Sequence, residues 1–157
     1  MNKTAIGVVL FIIIIIIAGF SAREAKSDEF GIGLGQSVIN SHIKTAEFSY
    51  RNDGNWEFAA SLMGEGDTKN GVQGITNIYS ASYIVEPQWS FLGGKNYYRL
   101  GGAYVNDSPL VGPTNYRLGV GMDWDVFSLE YVHYSSSGIH DLNTGIDMIV
   151  LKYHIPN

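Results

Sequence analysis

Phe127-Ser128-Leu129-Glu130-Tyr131-Val132-His133-Tyr134-Ser135 is the stretch that decides the fold. In an extended chain successive side chains point to opposite faces, so Phe127, Leu129 and Tyr131 share one side and Ser128 and Glu130 the other. The same alternation recurs along the chain. Ile149, Leu151, Tyr153 and Ile155 oppose Lys152 and His154. Leu118, Val120, Met122 and Trp124 oppose Arg117, Gly119, Gly121 and Asp123. Tyr98, Leu100 and Tyr104 oppose Arg99 and Gly101, and Trp56, Phe58, Ala60 and Leu62 oppose Glu57 and Ser61. Phe48 and Tyr50 oppose Glu47 and Arg51.

Beyond residue 22 no stretch shows a helical period, and the pattern predicts eight strands near 29–37, 44–52, 55–65, 74–86, 96–106, 114–124, 126–136 and 144–155. Asn52-Asp53-Gly54 is a tight-turn signal, Asp123-Trp124-Asp125 a short connection, and 68–71, 93–96 and 106–114 read as loops.

The composition of the two faces identifies their solvents. The polar face carries glycines and opposite charges (Glu47, Arg51, Glu57, Arg99, Arg117, Glu130, Lys152), which fit the narrow lumen of an eight-stranded barrel. The apolar face carries Tyr and Trp towards strand ends, as interface girdles do. A soluble barrel or sandwich has the same period, but its exterior would then be mostly glycine with few charges. The expected class is therefore all-β: an eight-stranded antiparallel transmembrane β-barrel.

Residues 1–22 read as a signal peptide cut between 18 and 26. Lys3 precedes an apolar run that includes Ile12 to Ile17, and small residues close it. An uncleaved anchor helix is the alternative. Residues 23–157 form the barrel domain. The absence of cysteine rules out a disulfide framework and thiolate metal sites, and the net charge of −5 argues against nucleic acid as a partner. The oligomeric state is left open, a homodimer being compatible.

Parity also places three reactive groups together. His133 and Ser135 share the face of Leu129 and Tyr131, and Asp147 shares that of Ile149 and Leu151, at one end of the last hairpin. A pairing centred on Asp141 would set Ser135 opposite Asp147 and His133 opposite Ile149, with His133 diagonal to the carboxylate. Each residue alone reads as an ordinary strand-end group meeting water. Together, on a lipid-facing wall, they point to ester hydrolysis: Ser135 as nucleophile, His133 as base, Asp147 as orienting acid. Donors for the oxyanion are expected from Ser136, Ser137, Gly138 and Asn143.

Other candidates read as structural. Gly31-Ile32-Gly33-Leu34-Gly35 lacks a following helix and is expected to be a lumen-facing strand. His42, His140 and His154 lack metal-ligand spacing and are expected in a loop, a loop and the lumen. Asp67, Asp107 and Asp141 read as solvated loop carboxylates, and Glu130 as a partner of a lumen cation.

The run His133-Tyr134-Ser135-Ser136-Ser137-Gly138, followed by Asn143-Thr144-Gly145-Ile146-Asp147, resembles the lipid A 3-O-deacylase family (PagL-type acyl hydrolases). The strong part of the resemblance covers 127–155. It implies an eight-stranded outer-membrane barrel in the bacterial outer membrane that removes the ester-linked 3-hydroxyacyl chain of lipid A without metal or cofactor. Lipid A, as lipopolysaccharide, is then the substrate, its acyl chain lying along Leu129, Tyr131, Ile149 and Leu151. Three positions depart from the family pattern. Ser136 stands where asparagine is common, Asp147 where glutamate is typical, and Ile155-Pro156-Asn157 where a terminal aromatic residue is usual.

Overall fold

The computed structural model describes residues 28–155; the signal segment read at 1–22 and the terminal Pro156-Asn157 lie outside the described residues. The strands are β1 (Glu29–Ser37), β2 (Lys44–Arg51), β3 (Trp56–Met63), β4 (Gly66–Thr68), β5 (Gly71–Gln73), β6 (Thr76–Val85), β7 (Ser90–Phe91), β8 (Gly94–Val105), β9 (Thr114–Asp123), β10 (Phe127–Ser135) and β11 (Ile146–Ile155). Eight of them run in the order β6-β3-β2-β1-β11-β10-β9-β8, every neighbour antiparallel, and β6 pairs with β8 to close the cylinder. Closure leaves no unpaired strand edge, the condition for a sheet to cross lipid. The barrel strands have eight to twelve residues, matching the hydrocarbon thickness when tilted. Two elements were not expected from the sequence: the β4–β5 hairpin within 64–75 and the two-residue β7, each too short to show a period.

The wall is apolar outside. Ile32, Leu34, Phe48, Phe58, Leu62, Val120, Leu129, Ile149 and Leu151 are all exposed, far more contiguous apolar surface than a water-soluble monomer shows. Aromatic pairs gather at one end, where Trp56 meets Tyr83 edge-on at 5.5 Å and Phe30 meets Tyr50 at 5.2 Å. Tyr79, Tyr104, Tyr116 and Tyr131 are exposed towards the other end. Both described termini lie at the first end with connections 52–55, 86–93 and 124–126. The opposite end carries 38–43, 64–75, 106–113 and 136–145, and these longer loops mark the outer side.

The lumen has two tiers. In the lower one Arg99 donates to Glu130 (2.5 and 2.9 Å) and to Glu57 (2.6 Å). Lys152 reaches both Glu57 and Glu47 at 2.9 Å, and Arg117 reaches Glu47 at 2.9 Å. Three buried cations thus balance three buried carboxylates, the condition under which such charges survive without water. Glycine clears the space: a Cβ on Gly119 would sit 2.1 Å from Glu130 Oε1, and one on Gly121 2.4 Å from the Tyr97 ring. Under the outer loops the filling turns apolar, with Met63, Ile78, Val105, Leu110, Val132, Tyr134, Ile146 and Met148 buried together. Gly31 and Gly33 face the lumen as expected, and His154 lies there between Glu29 and Asp123.

Candidate active site

The final hairpin sets the geometry. His133 pairs directly with Asp147 and Tyr131 with Ile149, a register two residues away from a pairing centred on Asp141. The expectation that Ser135 would lie opposite Asp147 is thereby corrected. The reason is the connection: β10 ends at Ser135 and β11 begins only at Ile146, because 136–145 folds into a loop rather than extending the ladder. That loop turns through Ser137 (φ 47°) and Gly138 (φ 84°) and re-enters the sheet through Gly145 (φ 87°). At Gly145 only glycine fits, since a Cβ would also lie 2.9 Å from His133 Cε1.

Parity holds despite the shift. His133 Nδ1 lies 2.7 Å from Asp147 Oδ1 on the outer wall, with the His133 side chain 34 % exposed and that of Asp147 only 7 %. Directly opposed residues have Cβ atoms about 5 Å apart, a span that a short carboxylate and an imidazole fill together. The same Oδ1 accepts a second hydrogen bond, 2.5 Å, from the Tyr131 hydroxyl. Nothing in the sequence pattern had paired Tyr131 with Asp147. The diagonal reach of a tyrosine across an antiparallel pair was the available signal.

Ser135 stands two residues beyond His133 on the same face. Its hydroxyl donates to Asn143 Oδ1 (2.9 Å) rather than to the imidazole, and accepts from the Ser137 amide (3.2 Å). Asn143 Oδ1 also receives the amides of Ser136 (2.9 Å) and Ser137 (3.2 Å) and the Ser136 hydroxyl (3.1 Å). Asn143, expected as a donor, is an acceptor here. The amide that joins Ser136's is that of Ser137, whereas Gly138 occupies the turn. Converging amides around one oxygen form an anion-favouring nest of the kind that stabilises an oxyanion.

The loop is held from three sides. Asn40 Nδ2 donates to the carbonyls of Thr144 and Gly145 (3.1 Å each), and Asn70 Nδ2 to Thr144 Oγ1 (2.6 Å). Val111 bridges Asn143, and the Val38 amide reaches the Asp147 carbonyl (2.9 Å). Below the histidine the wall has a groove of about 350 Å³ lined by Val120, Met122, Leu129, Tyr131 and Ile149. Leu151 lies outside that groove, opposite Leu129 and exposed on the same face. Glu130 is bound to Arg99 in the lumen, and no cluster suited to a metal ion occurs among the described residues.

An imidazole whose Nδ1–H is held by a carboxylate presents Nε2 as a base to a nearby hydroxyl. Consecutive same-face residues on a strand have Cα atoms about 7 Å apart, so Ser135 and His133 are neighbours along the wall.

No family model matches the chain, and no curated protein matches it. Among solved structures, the crystal structure of the outer membrane enzyme PagL matches with a TM-score of 0.59 at 15% identity, covering 83% of this chain and 100% of that one. The backbone structure of the Yersinia pestis outer membrane protein Ail in a phospholipid bilayer nanodisc matches with a TM-score of 0.44 at 16% identity, covering 82% and 98%. The likeness to PagL is one of fold. With the closed barrel and its apolar wall, it places this chain in the bacterial outer membrane.

Proposed function

We propose that this barrel is an outer-membrane serine esterase that removes the ester-linked 3-hydroxyacyl chain at the 3-position of lipid A. The observation that carries the reading is the His133–Asp147 pair on the lipid-facing wall at the outer rim, with Ser135 two residues along. A buried carboxylate on an exterior that otherwise serves lipid calls for a reason, and holding an imidazole for proton transfer supplies one.

In the reaction Ser135 turns from Asn143 to His133. Its Oγ bonds to the ester carbonyl carbon as its proton passes to Nε2. The carbonyl oxygen takes the seat now filled by Asn143 Oδ1, between the amides of Ser136 and Ser137. The C–O bond to the sugar breaks, and the sugar oxygen receives the proton from His133. Water then attacks the acyl-serine by the same path in reverse, releasing a 3-hydroxy fatty acid. Asp147 stabilises the transient imidazolium. The groove beneath supports this reading, since an acyl chain already lying in the bilayer would follow Leu129, Tyr131 and Ile149 with its ester at the rim.

The test is the mass of lipid A from cells expressing the protein. The wild type is expected to shed one 3-hydroxyacyl mass, and Ser135→Ala and His133→Ala to shed none while still migrating as folded, heat-modifiable barrels. Deacylation that persists in either variant sinks the triad. Lipid A unchanged by the wild type would leave a non-enzymatic barrel serving adhesion or membrane integrity.

A further inference from the structure

We infer that Tyr131 is a positioning residue for the proposed hydrolysis, fixing the Asp147 carboxylate through its hydroxyl; this rests on the esterase reading above. The Tyr131 hydroxyl is 2.5 Å from Asp147 Oδ1, the same oxygen that meets His133 Nδ1 at 2.7 Å. Tyr131 faces Ile149 in the ladder, so its side chain runs diagonally upward to a residue it does not pair with. A tyrosine serving only as an interface anchor would present its hydroxyl to headgroups and water. Here Tyr131 is 38 % exposed on the wall while its hydroxyl turns to a carboxylate that is nearly covered.

The physical need is plain. An aspartate directly opposite a histidine has one short side chain and two torsions, and its carboxylate could equally swing to water at the rim. A hydroxyl donor locks it with Oδ1 towards the imidazole. Tyr131 also lines the groove below the site, so a chain in that groove would pack against the residue that holds the acid. Reach, not sequence spacing, makes the link.

Tyr131→Phe keeps the ring and removes only the donor. Two measurements on the full-length protein in lipid vesicles read its effect: deacylation of lipid A, and labelling by an alkyl fluorophosphonate. In the labelling reaction Ser135 Oγ bonds to phosphorus as fluoride leaves and the serine proton passes to His133. The expected result is a roughly tenfold fall in kcat and in labelling rate, with KM within about twofold, since a hydrogen bond to a charged group is lost away from the ester. In an Asp147→Ala background the same change is expected to have no further effect, because the two residues act through one contact. An active wild type with Tyr131→Phe unchanged, or with additive losses in the double variant, overturns the role of Tyr131 alone. A wild type inert to both lipid A and the phosphonate overturns the esterase reading and this inference with it. Labelling without deacylation moves the substrate, and Tyr131 is then judged on the phosphonate rate.

Discussion

Replacing Asp147 by alanine separates an acid that orients from one that merely fills space. The variant removes the 2.7 Å contact to His133 and the 2.5 Å contact to Tyr131. A hydrogen bond to a charged group contributes about 1.5–3 kcal/mol, and in the transition state the imidazole is charged. At about 1.4 kcal/mol per tenfold, that loss alone lowers the rate roughly 10- to 150-fold. Freedom of the ring to rotate away adds to it, so the expected fall in kcat is about 100- to 1000-fold. It stays short of the full loss expected for Ser135→Ala, because nucleophile and base remain. The fold should tolerate the change at a cost of under about 2 kcal/mol, since the freed groups lie at the rim where water reaches them. The assay is a time course of 3-hydroxy fatty acid release from lipid A in vesicles, paired with urea unfolding followed by tryptophan fluorescence. A kcat within threefold of wild type, in a normally folded barrel, would remove Asp147 from the mechanism.

Asn143→Ala empties the oxygen from the nest formed by the Ser136 and Ser137 amides; by freeing seats for the substrate it is expected to raise kcat/KM roughly two- to tenfold, and a hundredfold loss would instead make Asn143 a donor in the reaction. Arg99→Leu strips Glu130 of two hydrogen bonds and Glu57 of one inside the lumen, and urea unfolding should show a loss of about 3–5 kcal/mol, most of it recovered when Glu130→Leu accompanies it.

Much of this architecture was legible from residues 127–135 and their counterparts, because a period of two is a property of the backbone and not of the neighbours. It assigned Glu130 and Lys152 to the lumen and Leu129 and Ile149 to lipid, and all four are there. The eight barrel strands followed, with bounds within two residues of those found, whereas β4, β5 and β7 did not. Register did not follow. Faces are fixed by parity, and a shift of two preserves every face, so nothing in the alternation of β10 and β11 distinguishes His133 opposite Asp147 from His133 opposite Ile149. The loop decides, through the positive φ of Ser137, Gly138 and Gly145 and through Asn40 and Asn70, which approach from more than seventy residues away in sequence. Asn143 illustrates the same limit: its type suggested a donor, and only the folded loop aims its oxygen inward at the amides. Tyr131 was read as wall, which it is, while its hydroxyl answers to a partner the strand pattern cannot name.

The two-tier filling makes this cylinder a rod rather than a pipe. Among the described residues, a hollow beside the ion pairs, lined by Arg51, Glu57, Arg99, Lys152 and His154, is about 10 Å³, room for about one water molecule. With the ion pairs in one tier and the apolar cluster in the other filling the described lumen, a planar bilayer containing the protein should stay electrically silent. For the proposed hydrolysis this means that substrate would reach His133 and Ser135 by lateral diffusion within a leaflet instead of through a mouth.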